Sequence, residues 1–83
     1  MADAAHGKDR SKIKDPELAA LGARVAALRA AAEMTQEGLA HSAGLHWTYI
    51  GQIERGERNL SYKNLLKLAR GLGVDPAQLL PVD

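Results

Sequence analysis

The chain has 83 residues, room for one small domain, and a formal net charge of +1, which excludes a uniformly basic surface. It has no cysteine, which excludes a disulfide framework, a thiolate metal site and thiol chemistry. Many of its hydrophobic residues are Ala, Phe is absent and β-branched residues are few, so an all-α fold is expected.

Residues 1–14 show no periodicity, and residues 8–14 carry Lys8, Arg10, Lys12 and Lys14 against Asp9. They are expected to form a flexible basic arm, either lying along a polyanion or serving as a leader with no specific role. They hold no apolar segment of the secretory kind, and no run in the chain approaches a membrane span. The expected location is the cytoplasm, with no membrane partner.

Residues 15–83 read as the folded domain. Asp15-Pro16-Glu17 opens a helix over about 16–32, with a capping carboxylate, a proline in the first turn and an acid near the positive helix end. Leu18, Leu21, Val25 and Leu28 form its apolar stripe. Thr35 caps a second helix, about 35–42, with Met34 and Leu39 placed as a hydrophobic staple. Gly44 supplies the positive φ of a sharp turn, and Leu45 returns to the core.

A third helix, about 46–55, turns Ile50 and Ile53 inward and leaves Trp47, Thr48, Gly51, Gln52 and Arg55 outside. Gly56 closes it. Ser61 caps a fourth helix, about 61–72, with Leu60 and Leu65 as staple, Leu65, Leu68, Ala69 and Leu72 as buried stripe, and Gly71 and Gly73 marking its end. Asp75-Pro76 opens a fifth, very short helix, about 76–80, with Gln78 placed to complete a capping box. The internal cations Arg55, Arg58, Lys63, Lys67 and Arg70 stand against Glu57 alone between residues 55 and 70.

Two helices meeting at a steep angle need small residues where they approach and apolar positions that lock the second onto the first. Ala40, Gly44, Ile50 and Ile53 meet those needs, although short helical bundles that bind nothing produce the same set. His6, His41 and His46 have no ligand spacing, so no metal site is expected. No nucleophile, base and orienting group occur together, so neither an enzyme nor a cofactor site is expected.

From about Leu21 to Leu80 the chain resembles the Cro/repressor-type helix-turn-helix family, a compact five-helix domain of the λ-repressor kind. The segments that carry the likeness are TQEGLA, SAGL, TYIGQIERG and RNLSYKNLLKLARGLGVDPAQL. The run TQEGLAHSAGLHWTYIGQIERGERNLS is similar to small controller proteins of restriction–modification systems, which are stand-alone, dimeric transcription factors. The resemblance implies sequence-specific binding of double-stranded DNA, with RNA polymerase as a further partner. It implies that Gln36 touches a backbone phosphate and that His46, Trp47, Thr48 and Gln52 face the major groove, where Gln pairs with adenine and Thr meets a thymine methyl or a base edge. It places Tyr49 near the groove edge, and helical spacing sets Arg55 on the same outer face. Arg58, Asn59 and Lys63 are implied at phosphates, with Arg58 in reach of a base. Arg29 is implied as the ion-pair partner of Glu54, a structural role.

Two positions depart from the family pattern. Trp47 stands where controller-like proteins often place a guanine-reading arginine, and an indole cannot make that bidentate contact; thymine methyls, sugar or the His46 ring are its alternatives. Gly51 stands where a polar side chain is usual. The apolar terminus, Leu79, Leu80 and Val82, is too exposed on so small a domain unless a second copy covers it, so a homodimer is expected there. The rival reading is a protein-interaction module, such as an antitoxin or partner adaptor, using the same helix face.

Overall fold

A computed structural model describes residues 15–81. Helices α1 (Pro16–Ala31), α2 (Gln36–Ala43), α3 (Trp47–Glu54) and α4 (Tyr62–Leu72) follow one another, and Pro76–Leu79 form a 3-10 turn. Among the described residues there is no strand. The fifth helix expected from sequence is therefore corrected to a single 3-10 turn, closed by Leu80 N–H donating to the Ala77 carbonyl at 3.2 Å. Pro76 and Pro81 bracket it, and Pro81 has no N–H with which to extend an α-helical ladder.

Side-chain caps set the starts. Asp15 accepts from the N–H groups of Glu17 and Leu18, Thr35 from Gly38, and Ser61 from Asn64. At the 3-10 turn, Asp75 accepts from Ala77 N–H, while Gln78 Oε1 accepts from Asp75 N–H at 3.0 Å. Helices α2 and α4 stop on left-handed residues, Gly44 and Gly73, both at φ 72°. Such ends satisfy carbonyls that the helix would otherwise leave open. The turn after α1 uses Glu33 at φ 59°, a conformation that side chains rarely adopt.

The core is built from Val25, Leu39, Ile50, Ile53, Leu68 and Leu79, all fully buried, with Ala40, Ala43, Ala69 and Leu72 around them. From the stripe of α1 only Val25 is fully enclosed; Leu18, Leu21 and Leu28 are partly covered. Leu79 is a correction to the expected dimer surface, because it fills the core of its own chain. Its neighbour Leu80 is half exposed, and Val82 lies outside the described residues, as do the basic arm 1–14 and His6.

Close packing of α1 on α3 depends on Gly22, which sequence periodicity did not single out. A Cβ there would sit 2.2 Å from the Ile53 carbonyl oxygen and 2.7 Å from that of Glu54. Gly71, expected as an end marker, lies inside α4 and lets that helix meet Ala43 of α2, whose Cβ would be 2.9 Å from an added one. Arg24 Nε donates to the Gln78 carbonyl at 2.7 Å and ties α1 to the 3-10 turn.

Candidate nucleic-acid interface

The reversal between α2 and α3 takes three residues. Gly44 turns left-handed, and Leu45 N–H donates to the Ala40 carbonyl at 2.9 Å, which sends the chain back over α2. His46 then caps α3. Its Nδ1 accepts from Thr48 N–H at 3.1 Å and lies 2.7 Å from the Thr48 hydroxyl. A ring nitrogen that accepts a backbone N–H carries no proton, so the neutral His46 ring holds its hydrogen on Nε2 and the Thr48 hydroxyl donates to Nδ1. Sequence reasoning missed this cap because His is not among the usual capping residues. The His46 and Trp47 rings stack, with centroids 6.0 Å apart and planes 25° from parallel.

Ile50 and Ile53 anchor α3 from below. Trp47 and Thr48 are exposed, and Tyr49 and Gln52 are half-buried. Gly51 is a correction: it is buried rather than open on the outer face. An added Cβ would lie 3.2 Å from Arg55 Nη1 and 3.7 Å from Gln36 Oε1, so those two side chains cover it.

Glu54, at the end of α3, is the anchor of the pair. Arg29 Nε donates to its Oε2 at 2.6 Å and Arg29 Nη2 to its Oε1 at 3.1 Å, while Arg29 Nη1 reaches the Met34 carbonyl at 2.8 Å. The side chains are only 21% and 8% exposed. The hydrogen bond to Glu54 raises the Arg29 pKa above its ordinary value; desolvation opposes this and the carboxylate's charge reinforces it. Gln36 Nε2 donates to the same Glu54 Oε1 at 2.9 Å. Gln36, assigned to a phosphate by resemblance, is thus half-buried and spends part of its amide on the scaffold.

A second set of contacts joins the reading face to the loop after it. Arg58 Nε donates to Gln52 Oε1 at 2.9 Å, and its guanidinium lies 5.3 Å from the Tyr49 ring centroid. Tyr49 Oη accepts from Asn64 Nδ2 at 3.0 Å, a positioning residue absent from the sequence-based set. The bidentate adenine contact expected of Gln52 needs its oxygen as acceptor, and one lone pair of that oxygen already takes the Arg58 N–H. Arg55 pairs with Glu57, Nε to Oε2 at 3.0 Å, and both are more than half exposed. Asn59 and Lys63 are exposed in the loop and the first turn of α4.

Gln36, Trp47, Thr48, Gly51, Gln52 and Arg55 line one shallow groove. Among the described residues no group of three or more His, Cys, Asp or Glu could hold a metal ion, and no helix is long and apolar enough to cross a membrane. A steep two-helix turn with an exposed second helix is the geometry of a helix-turn-helix pair, and the helix-turn-helix family model matches residues 25–79.

The chain belongs to the helix-turn-helix family.

Within this helix-turn-helix family it is similar to control protein C.BamHI of Bacillus amyloliquefaciens, 53% identical over 47 residues that make up 57% of this chain and 58% of the relative. Control protein C.SmaI of Serratia marcescens is 47% identical over 47 residues, 57% of this chain and 56% of that protein. The chain therefore matches less than two thirds of the length of these curated relatives. Among solved structures, the restriction-modification controller protein C.AhdI from Aeromonas hydrophila superposes with a TM-score of 0.78 at 42% identity, covering 80% of this chain and all of that one.

Proposed function

We propose that this chain is a sequence-specific, double-stranded-DNA-binding transcriptional regulator of the restriction–modification controller type. The observation that carries the reading is the outer face of α3. Trp47 and Thr48 are exposed and Gln52 half-exposed on the helix that follows Gly44, with the exposed Arg58 bonded to Gln52 and the exposed Lys63 in the first turn of α4. An exposed helix of this kind enters the major groove, and flanking cations hold its register through phosphates. The names of the relatives C.BamHI, C.SmaI and C.AhdI support the controller assignment. The fold is read as λ-repressor-like, with the last helix shortened to a 3-10 turn.

His46, Trp47, Thr48, Tyr49, Gln52 and Arg55 are proposed at base edges or the groove wall. Gln36, Arg58, Asn59 and Lys63 are proposed at the backbone, with Arg58 also within reach of a base. The regulator acts in the cytoplasm as a homodimer on a near-palindrome, and beside a promoter it blocks or recruits RNA polymerase. No chemical step is assigned to it.

Selection of bound duplexes from a random pool, followed by electrophoretic shifts across a salt series, tests the reading. The expected result is an enriched, near-symmetric sequence whose affinity falls steeply with salt. The half-exposed Trp47 also suits a protein partner. Absence of enrichment at low salt, together with a stable heterodimer in pull-down, would replace the DNA reading with that of an interaction module such as an antitoxin or partner adaptor.

A further inference from the structure

The groove at Gly51 sets apolar and polar surface side by side on the proposed reading face. Trp47 forms one wall and is 52% exposed. Its indole is placed by the stack on His46, and His46 is itself held by two contacts to Thr48. Thr48, whose hydroxyl spends its proton on His46 Nδ1, also lines the groove. Gly51 adds no side chain between Trp47 and Arg55, the residues one turn before and one turn after it.

Gln52 lines the same groove, and its chemistry is restricted. Arginine only donates, so the bond from Arg58 Nε fixes Gln52 Oε1 towards Arg58 and leaves the amide NH2 for a ligand. Gln52 therefore turns its NH2 donors away from Arg58, with Oε1 directed at the guanidinium. Adenine presents an acceptor beside a donor in the major groove, and cytosine presents a donor. Guanine presents two acceptors and no methyl. Thymine alone presents an acceptor, O4, beside a methyl group.

We propose that this groove is a thymine-reading subsite: Gln52 Nε2 donates to O4 while the C5-methyl seats against Trp47 in the shallow groove that Gly51, Gln36 and Arg55 floor. The inference rests on the DNA-binding reading above and adds the base that the site selects. It also gives Trp47 and Gly51 a shared role, since an indole beside a missing side chain makes room for a methyl group.

The test uses the full chain and its selected duplex, with each thymine replaced in turn by deoxyuridine, which removes only the methyl. One thymine per half-site should respond with about a fourfold loss of affinity, the worth of one buried methyl. At that position 5-methylcytosine paired with guanine keeps the methyl but sets a donor against Gln52, and the loss should reach about tenfold or more. Trp47→Ala, at an exposed position, should abolish the deoxyuridine effect. Gly51→Ala should abolish it too, because its Cβ raises the groove floor, meeting the flexible end of Arg55 at 3.2 Å and Gln36 Oε1 at an ordinary 3.7 Å. Specific binding with no deoxyuridine-sensitive thymine overturns the subsite and leaves the DNA-binding reading standing. So does a sensitivity that persists in Trp47→Ala. Failure to enrich any duplex overturns both.

Discussion

Arg29 and Glu54 concentrate the most electrostatic risk in a single pair. Without Arg29, the Glu54 carboxylate, 8% exposed in the intact pair, would keep Gln36 as its remaining side-chain donor. Arg29→Ala is expected to cost about 2–3 kcal/mol in urea unfolding, below the full value for a buried pair because Arg29 is partly solvated. Arg29→Lys should recover less than half, since a lysine cannot bond both oxygens and the Met34 carbonyl in one plane. A raised pKa means that the arginine's contribution is complete at all lower pH and is lost only as pH climbs past the folded value. Titration of Arg29 therefore adds no slope to stability near neutrality. On the reading face, Gln52→Ala and Thr48→Ala should each relax preference at one base position by about 1–3 kcal/mol, whereas Lys63→Ala should weaken all sequences alike. If selection on both classes of variant gives the same result, the division into base and phosphate contacts fails.

At the scale of elements, the turn and its caps decide whether α3 exists. Eight residues are too few for an independent helix, so α3 relies on Ile50 and Ile53 below and His46 at its start. His46→Ala removes the acceptor for Thr48 N–H and should cost about 1 kcal/mol, seen as faster amide exchange in the first turn of α3. Gly44→Ala has open space around the new Cβ but a φ of 72°, so its cost, about 1–2 kcal/mol, is backbone strain alone. Gly22→Ala fails for the opposite reason. Its helical backbone suits alanine, but the Ile53 carbonyl oxygen is 2.2 Å away, so α1 must back off α3. Thermal unfolding should place Gly22→Ala below Gly44→Ala. The reverse order would mean that α1 and α3 tolerate a looser approach.

For the whole molecule, the proposed dimer depends on the contrast between Leu79 and Leu80. Leu79 is wholly enclosed, so Leu79→Ala should destabilise the chain by about 2–5 kcal/mol whatever its assembly. Leu80 is half exposed and shares an apolar groove with Pro16, Leu18, Leu21 and Pro81. A second copy is the proposed cover, and two-fold pairing would set the two α3 helices about 34 Å apart, one DNA turn. Leu80→Asp should yield a folded monomer in equilibrium sedimentation, with binding to a palindromic duplex much reduced. A wild-type chain that is monomeric at micromolar concentration would dispose of the dimer.

Local rules in the sequence carried the all-α class, the caps at Asp15, Thr35, Ser61 and Asp75, the left-handed residues Gly44 and Gly56, and the inward pair Ile50 and Ile53. Each depends on hydrogen bonds or side-chain directions within about one turn of chain, which residue type and spacing determine. Only the tertiary structure decided that Gly22 and Gly71 are contact points, that Leu79 belongs to the core, and that the last helix is one 3-10 turn. It also placed Gln36 on Glu54, Arg58 on Gln52, and Asn64 on Tyr49. Most of these choices bring together residues well separated in the chain, as Arg24 and Gln78 are by 54 positions, and no local propensity reports such a meeting. Gly51 shows the difference best. Helical spacing put it on the outer face of α3, and the side chains of Gln36 and Arg55 then closed over it, because an outward position is buried whenever a neighbouring element reaches across.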